Sequence, residues 1–331
     1  MIQSHNEWDK LITCMVGDAT NANFPKQDLY FDLHQKVTKW SKTSIHRGRL
    51  PQHVIDEANE DLDNLVKILK KHHVNVLRPR LADFSQTHST EHWTSDGYSN
   101  YCPRDVLLVI GDKIIQAPMS CRSRIFEYKH YDDIKSMGEK WIQAPIPDLL
   151  DDDVEIVDEE LVLTNRQPIF DAANVLRLNN DILYLVSSSG NYAGAKWLQQ
   201  LLGNNYTVHV HDNLYASTHI DTTISVLKEG LVVLNGDRVN NYNCPAVFNN
   251  WEKIYVEDLC QSPYWHYPYG SKWMGLNMLS ISPDTVIVDS TQTQLIKRIE
   301  QKGITVIPQL LRHARTLGGG FHCVTLDLYR E

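Results

Sequence analysis

The chain has 331 residues, 42% of them hydrophobic and 22% charged, a balance that fits a globular protein and excludes a disordered one. Its formal net charge of -9 removes the electrostatic footprint of a nucleic-acid-binding protein. No apolar run reaches the length of a membrane span, and the N-terminus MIQSHNEWDKLITCMVGDAT shows neither a basic-then-apolar signal nor an Arg-rich transit pattern. A cytoplasmic location is therefore expected. The six cysteines (Cys14, Cys102, Cys121, Cys244, Cys260 and Cys323) form no CxxC pair, so zinc-ribbon and thioredoxin readings fail on spacing, and reduced thiols are the default.

Two patterns alternate along the chain. Residues 63–78 (DNLVKILKKHHVNVLR) carry apolar residues at helical spacing, then a His-His break and a short strand. Residues 80–101 are polar and rich in Ser, Thr and His, and read as a long ordered loop near a site. Residues 105–117 (DVLLVIGDKIIQA) join two apolar strands across a Gly111-Asp112 turn, with Asp105 in the lead. After the prolines at Pro145 and Pro147, the acidic run 151–160 (DDDVEIVDEE) reads as a solvated loop or a module boundary. The hairpin returns at residues 171–187, led by Asp171 and turning at Asn179-Asn180. A helix and strand follow at 194–210 (GAKWLQQLLGNNYTVHV). Further hairpins span 219–235, led by His219, and 277–289, with Pro283-Asp284 at the turn. The helix-strand pattern closes at 292–307 (QTQLIKRIEQKGITVI), and Cys323 opens a last strand, CVTLDL.

These segments read as one domain, residues 1–331, of helix, strand and hairpin modules recurring roughly every 50–70 residues, as in propellers or arrays. A ring of such modules would bring Asp105, Asp171, His219 and Cys323 together at its centre. An ordinary α/β sandwich with polar strand ends has the same pattern.

Candidate chemistry lies in a few motifs. In Gly318-Gly319-Gly320-Phe321-His322-Cys323, glycines allow close backbone approach and present a cysteine that is either a nucleophile or a buried residue after a turn. His219-Ile220-Asp221, if on a strand, would put an imidazole and a carboxylate on one side, suited to acid–base work or to a strand end without function. Asp105 and Asp171 would ordinarily be turn or cap residues. Arg238 is either a surface loop residue or a bidentate partner for a substrate carboxylate. His219 with Asp221, or His209 with His211, has a spacing that could bind a metal, but metal sites usually need three or four converging ligands and the chain has no HExxH pair, so no metal is expected.

Taken in order, Asn6-Glu7-Trp8-Asp9, Pro103-Arg104-Asp105, Ala117-Pro118-Met119, Arg122 to Tyr128, Phe170-Asp171-Ala172-Ala173, His219-Ile220-Asp221, Asn235 to Arg238, Ser271-Lys272-Trp273 with Asn277, and Leu317 to Cys323 resemble the amidinotransferase family over nearly the whole chain. The resemblance implies an α/β fold, a five-bladed pseudo-symmetric α/β propeller of the guanidino-group-modifying kind. It also implies transfer of the amidino group of arginine through a covalent adduct. By that resemblance Cys323 is the nucleophile, His219 the general acid and base, and Asp171 its orienting carboxylate. Asp105 and Asp221 correspond to carboxylates around the guanidinium, and Arg238 and Ser271 to contacts with the amino-acid end of the donor. No metal or organic cofactor is implied; the partners are small molecules, and a homodimer is the expected assembly. Glycine is the expected acceptor, giving ornithine and guanidinoacetate, with another amine such as an aminocyclitol, or hydrolysis to citrulline, as alternatives. Thr218, Gly270 and Val324 depart from the glycine enzymes, which carry Met, Ser and Trp there, and the chain lacks their N-terminal extension, against mitochondrial targeting.

Overall fold

A computed structural model describes residues 1–37, 46–137, 140–264 and 270–331. Its frame is five three-stranded sheets of one design. Each has an antiparallel pair with a third strand added in parallel to the pair's middle member. The first sheet orders Thr325–Arg330, Leu11–Val16 and Asn75–Leu77, so the two ends of the chain meet in it. The others order Leu107–Ile110, Lys113–Gln116 and Lys140–Gln143; Val175–Leu178, Asp181–Leu185 and Thr207–His211; Ile224–Lys228, Leu231–Asn235 and Glu252–Val256; and Leu279–Ser282, Thr285–Asp289 and Thr305–Gln309.

The hairpin turns fall where the sequence put them. Gly111 and Asn179 take φ of +58° and +62°, the left-handed angles such tight turns need. The parallel third strand is what obliges a crossover, since parallel neighbours cannot be joined by a tight turn. In three sheets that crossover is an amphipathic helix: Gln52–Lys71, Tyr192–Leu202 and Thr293–Glu300. Asn191 caps the second of these by accepting from the Gly194 amide at 2.8 Å. The first helix starts well ahead of the predicted 63–78 segment, because Pro51, just before it, is a better start signal than the apolar spacing alone.

Apolar clusters fill the spaces between sheets rather than one central core. One joins the first and fifth sheets through Leu11, Leu62, Ile281 and Ile287. Others join the second sheet to the third, the third to the fourth and the fourth to the fifth. Both faces of these strands are covered, which explains their nearly continuous apolar sequences.

Three expectations are corrected. The acidic run 151–160 is largely solvated, as expected, but is not a loop: it forms a helical turn and, with the residues after it, the hairpin Val154–Val157 with Glu160–Leu163, of which Leu161 and Leu163 reach inward. Residues 80–101 hold a hairpin of their own, Thr87–Ser89 with Thr94–Asp96. The last strand begins at Thr325, leaving Cys323 in the turn before it. Among the described residues no helix is long and apolar enough to cross a membrane.

Candidate active site

In each sheet the edge strand that runs antiparallel to the middle one begins just after a polar residue held in a turn. Asp105 sits in the short helix Pro103–Val106, and Asp171 precedes the helical turn Ala172–Asn174. Asp221, Asn277 and Cys323 occupy the matching places ahead of the fourth, fifth and first sheets. His219-Ile220-Asp221 is not a strand, contrary to the expectation of a shared strand face. His219 instead has φ of +62°, a strained angle for a non-glycine residue, and this turn rather than strand alternation aims both side chains inward. The side chains of Asp105, Asp171, His219, Asp221, Ser271 and Cys323 all line one cavity of about 170 Å³ that opens to solvent.

The geometry is tight. His219 Nε2 lies 3.0 Å from Asp171 Oδ2, and its Nδ1 lies 3.6 Å from Asp105 Oδ1. Asp171 is fixed in turn by the Ser120 amide at 2.9 Å and hydroxyl at 3.0 Å, both donating to Oδ1. Arg124 donates to Asp105 Oδ2 at 2.7 Å and pairs with Glu127 at 2.9 Å. The Cys323 thiol donates to Asp221 Oδ2 at 3.1 Å, and that oxygen also meets His322 Nδ1 at 2.9 Å. The second carboxylate oxygens of Asp105 and Asp221 are both buried: Asp221 Oδ1 has no hydrogen-bond partner among the described residues, and Asp105 Oδ1 has only the 3.6 Å ion pair with His219 Nδ1. Buried acceptors are normally satisfied, so two such oxygens in one cavity wall mark a place for a donor-rich cation.

Electrostatics follow from this packing. Burial lowers the basicity of His219, but Asp105 and Asp171 outweigh it and hold the imidazole well above its ordinary value. For Asp171 burial is likewise outweighed, by the His219 contact, and its carboxyl lies below the usual range. The neighbouring Cys102 thiol, burial, and the Asp221 and Asp105 carboxylates push the Cys323 thiol well above its ordinary value, while His219 pulls it down. The resting pair is thus a neutral thiol beside an imidazolium. Donor atoms of Asp105, His219 and Cys323 come within 4.8 Å of one another, a spacing a metal could use. A metal would need His219 Nδ1 unprotonated, which the two flanking carboxylates disfavour.

Ser271 lines the cavity, and its hydroxyl accepts from the Trp273 amide at 3.1 Å and from Arg238 Nη2 at 3.2 Å. Arg238 itself stands behind that wall. Its guanidinium lies 3.4 Å from the centre of the Tyr215 ring and donates to Thr222 and Thr223. Sequence reasoning missed several residues that shape the site: Ser120 and Arg124, which hold the carboxylates, and Arg177, buried at the molecular centre. Arg177 carried a signal, a charge inside the apolar strand Val175–Leu178. Ser120 carried none.

No family model matches the chain. A solved structure of very different sequence shares its fold: the N-terminal domain of a cyanobacterial arginine dihydrolase superposes with a TM-score of 0.63 at 12% identity, covering 96% of this chain and 98% of that one. That likeness sets the fold class, an α/β fold, and nothing narrower. Within it, this chain belongs to the amidinotransferase family. It is 44% identical to inosamine-phosphate amidinotransferase 1 of Streptomyces griseus, over 100% of this chain and 97% of that protein. The solved structure of the Streptomyces griseus inosamine-phosphate amidinotransferase superposes with a TM-score of 0.94 at 42% identity, covering 100% of this chain and 97% of that one. The mitochondrial glycine amidinotransferase of Xenopus laevis is 34% identical, over 99% of this chain and 82% of that protein.

Proposed function

We propose that this chain moves the amidino group of arginine, through a covalent adduct on Cys323, to the primary amine of an aminocyclitol-type acceptor. One observation carries the arginine chemistry: a cysteine thiol, an imidazole held between two carboxylates, and two buried carboxylate oxygens that lack a hydrogen bond among the described residues share one cavity wall. Guanidinium is a poor electrophile because its charge is delocalised. Held by Asp105 and Asp221, it is oriented for attack, and its charge offsets the carboxylates that keep the Cys323 proton in place.

Cys323 Sγ then bonds to the guanidinium carbon. The bond from that carbon to the side-chain nitrogen breaks as His219 Nδ1 gives that nitrogen a proton, and the thiol's proton replaces it on His219. Ornithine leaves, and the amidino group stays on sulfur. The acceptor amine attacks the same carbon, passes its proton through His219, and the C–S bond breaks to restore the thiol. Asp171 holds the imidazole with Nδ1 facing the chemistry. Ser271, which lines the cavity, receives the amino-acid end of arginine, and Arg238, expected from the sequence to do so as well, acts from behind the wall by donating to the Ser271 hydroxyl. The two half-reactions predict ping-pong kinetics.

Two observations support the acceptor. Identity is 44% to the inosamine-phosphate enzyme and 34% to the glycine enzyme. Thr218 and Gly270, two of the departures from the glycine enzymes, line the cavity, and their smaller side chains leave room for a bulkier acceptor. Glycine, the expectation from the sequence, is therefore the second choice. The same reading takes the five sheets as the blades of a five-bladed pseudo-symmetric α/β propeller and residues 1–331 as one domain. Their repeated strand order and the apolar clusters between successive sheets support it.

The test is mass spectrometry of the protein after arginine alone, then after an inosamine phosphate or glycine. We expect an amidino adduct on Cys323 that persists alone and is discharged faster by the inosamine phosphate. Faster discharge by glycine would reverse the acceptor choice. Citrulline formed without acceptor would mean a hydrolase, and no adduct at all would remove the covalent route.

A further inference from the structure

Four of the five sheets begin beside a side chain to which the mechanism gives work: Cys323, Asp105, Asp171, and Asp221 with His219. The fifth, led by Asn277, has none. Asn277 is 1% exposed and does not drift at the edge of the site. Its carboxamide faces the nucleophile at both ends. Oδ1 accepts from the Cys323 amide at 3.0 Å, and Nδ2 lies 3.1 Å from Cys323 Sγ. The orientation of an amide group is often ambiguous, but here the backbone decides it. The Cys323 N–H can only donate, so Oδ1 must face it and Nδ2–H must face the sulfur.

We propose that Asn277 stabilises the Cys323 thiolate by donating Nδ2–H to Sγ, so that the fifth sheet supplies the residue that sets the nucleophile's reactivity. This rests on Cys323 being the nucleophile. In the resting state the thiol proton points to Asp221 Oδ2, and the Asn277 hydrogen bond is one to a neutral sulfur. When the proton leaves, the same donor faces an anion in a buried site, and hydrogen bonds to charged groups are about twice as strong. The contact therefore favours the anion over the thiol, and it acts with His219 against the burial and carboxylates that hold the proton on. The fold is shaped around it. The Asn277 carbonyl also accepts from the Phe321 amide at 3.0 Å, tying the turn before Cys323 to the fifth sheet. A Cβ at Gly320 would stand 2.7 Å from Asn277 Cβ and 2.8 Å from Oδ1, so only glycine there lets the carboxamide reach the cysteine.

Asn277→Asp separates this role from a purely structural one. It keeps an oxygen for the Cys323 amide and replaces the Nδ2 donor by a second acceptor. Asn277→Ala removes both contacts. The readouts are the pH profile of Cys323 alkylation by iodoacetamide, followed by mass spectrometry of its peptide, and the rate of adduct formation with arginine. We expect both variants to need higher pH for alkylation. Adduct formation should slow by roughly ten- to a hundredfold, the size of one hydrogen bond to a charged group, with the KM for arginine changed far less. Profiles and rates matching the unaltered enzyme would overturn the proposal. A check that needs no variant is a crystal structure of the unaltered enzyme with Cys323 unmodified. Nδ2 within hydrogen-bonding reach of Sγ supports the role, and an amide turned away overturns it. If the unaltered enzyme forms no adduct, the nucleophile reading fails instead, while the alkylation profiles still report what Asn277 does to the thiol.

Discussion

His219 is held by opposing carboxylates in a left-handed backbone conformation, and its charge state couples the site to pH. Its native basicity lies well above the ordinary value of 6.5, so its contribution to stability is fully present below that value and is lost as pH rises through the native one. Asp171, lowered from 3.8, contributes above that value and loses its contribution as pH falls through its native one. The pair is therefore most stabilising in the window between. His219→Asn removes the charge while keeping a residue that tolerates positive φ. Its melting temperature should fall most against the unaltered enzyme at about pH 6 and least at about pH 10. An equal deficit at both would mean that the imidazole does not carry the charge. Cys323→Ser keeps the volume and the donor to Asp221 but makes a far weaker nucleophile. It should bind arginine, seen as a rise in melting temperature with added arginine, and form no amidino adduct.

Glycines at the ends of elements serve two different physical needs. Gly230, in the hairpin turn of the fourth sheet, has φ of +80°, and a Cβ added there would meet nothing within 4 Å, so only backbone strain opposes a side chain. Gly230→Ala should cost about 1 kcal/mol in urea unfolding and leave adduct formation unchanged. Gly320 is the opposite case, with packing rather than φ as the constraint. Gly320→Ala should cost about 1–3 kcal/mol by overpacking and also slow adduct formation, because the clash falls on Asn277. At this scale the sequence was readable wherever local chemistry dominates: four hairpins and the last two crossover helices follow from turn residues and apolar spacing. It misled just after the acidic run 151–160, which is largely solvated as expected but pairs as a hairpin because Leu161 and Leu163, beyond its end, are drawn inward against the helix Leu29–Val37 and Ile169.

The molecule's centre is a buried network of charge. Arg177 donates to Glu7 at 2.9 and 2.7 Å and to Asp327 at 2.6 Å, and Asp327 also receives Arg104 and Arg330. Its members come from the N-terminal segment, the turn before the second sheet, the third sheet and the C-terminal strand. They therefore fasten together parts of the chain remote in sequence. Glu7 meets His322 Nε2 at 3.1 Å, and His322 meets Asp221, so the network reaches the wall that carries Cys323. Arg177→Met should cost about 3–5 kcal/mol in urea unfolding, because it leaves Glu7 and Asp327 buried with too little opposing charge. A loss below about 1 kcal/mol would show that the remaining arginines compensate.

The sequence alone determined the class of fold, its repeating hairpins and most of the candidate residues that line the cavity. Turn chemistry and apolar period are local properties, and ordered motifs such as Gly318 to Cys323 are specific when read together. Only the tertiary structure decided how those residues meet. The left-handed turn at His219, the buried second oxygens of Asp105 and Asp221, and the reach of Asn277 to the thiol all depend on where separate sheets converge. Convergence is fixed by packing between sheets, and single-chain periodicity carries no record of it.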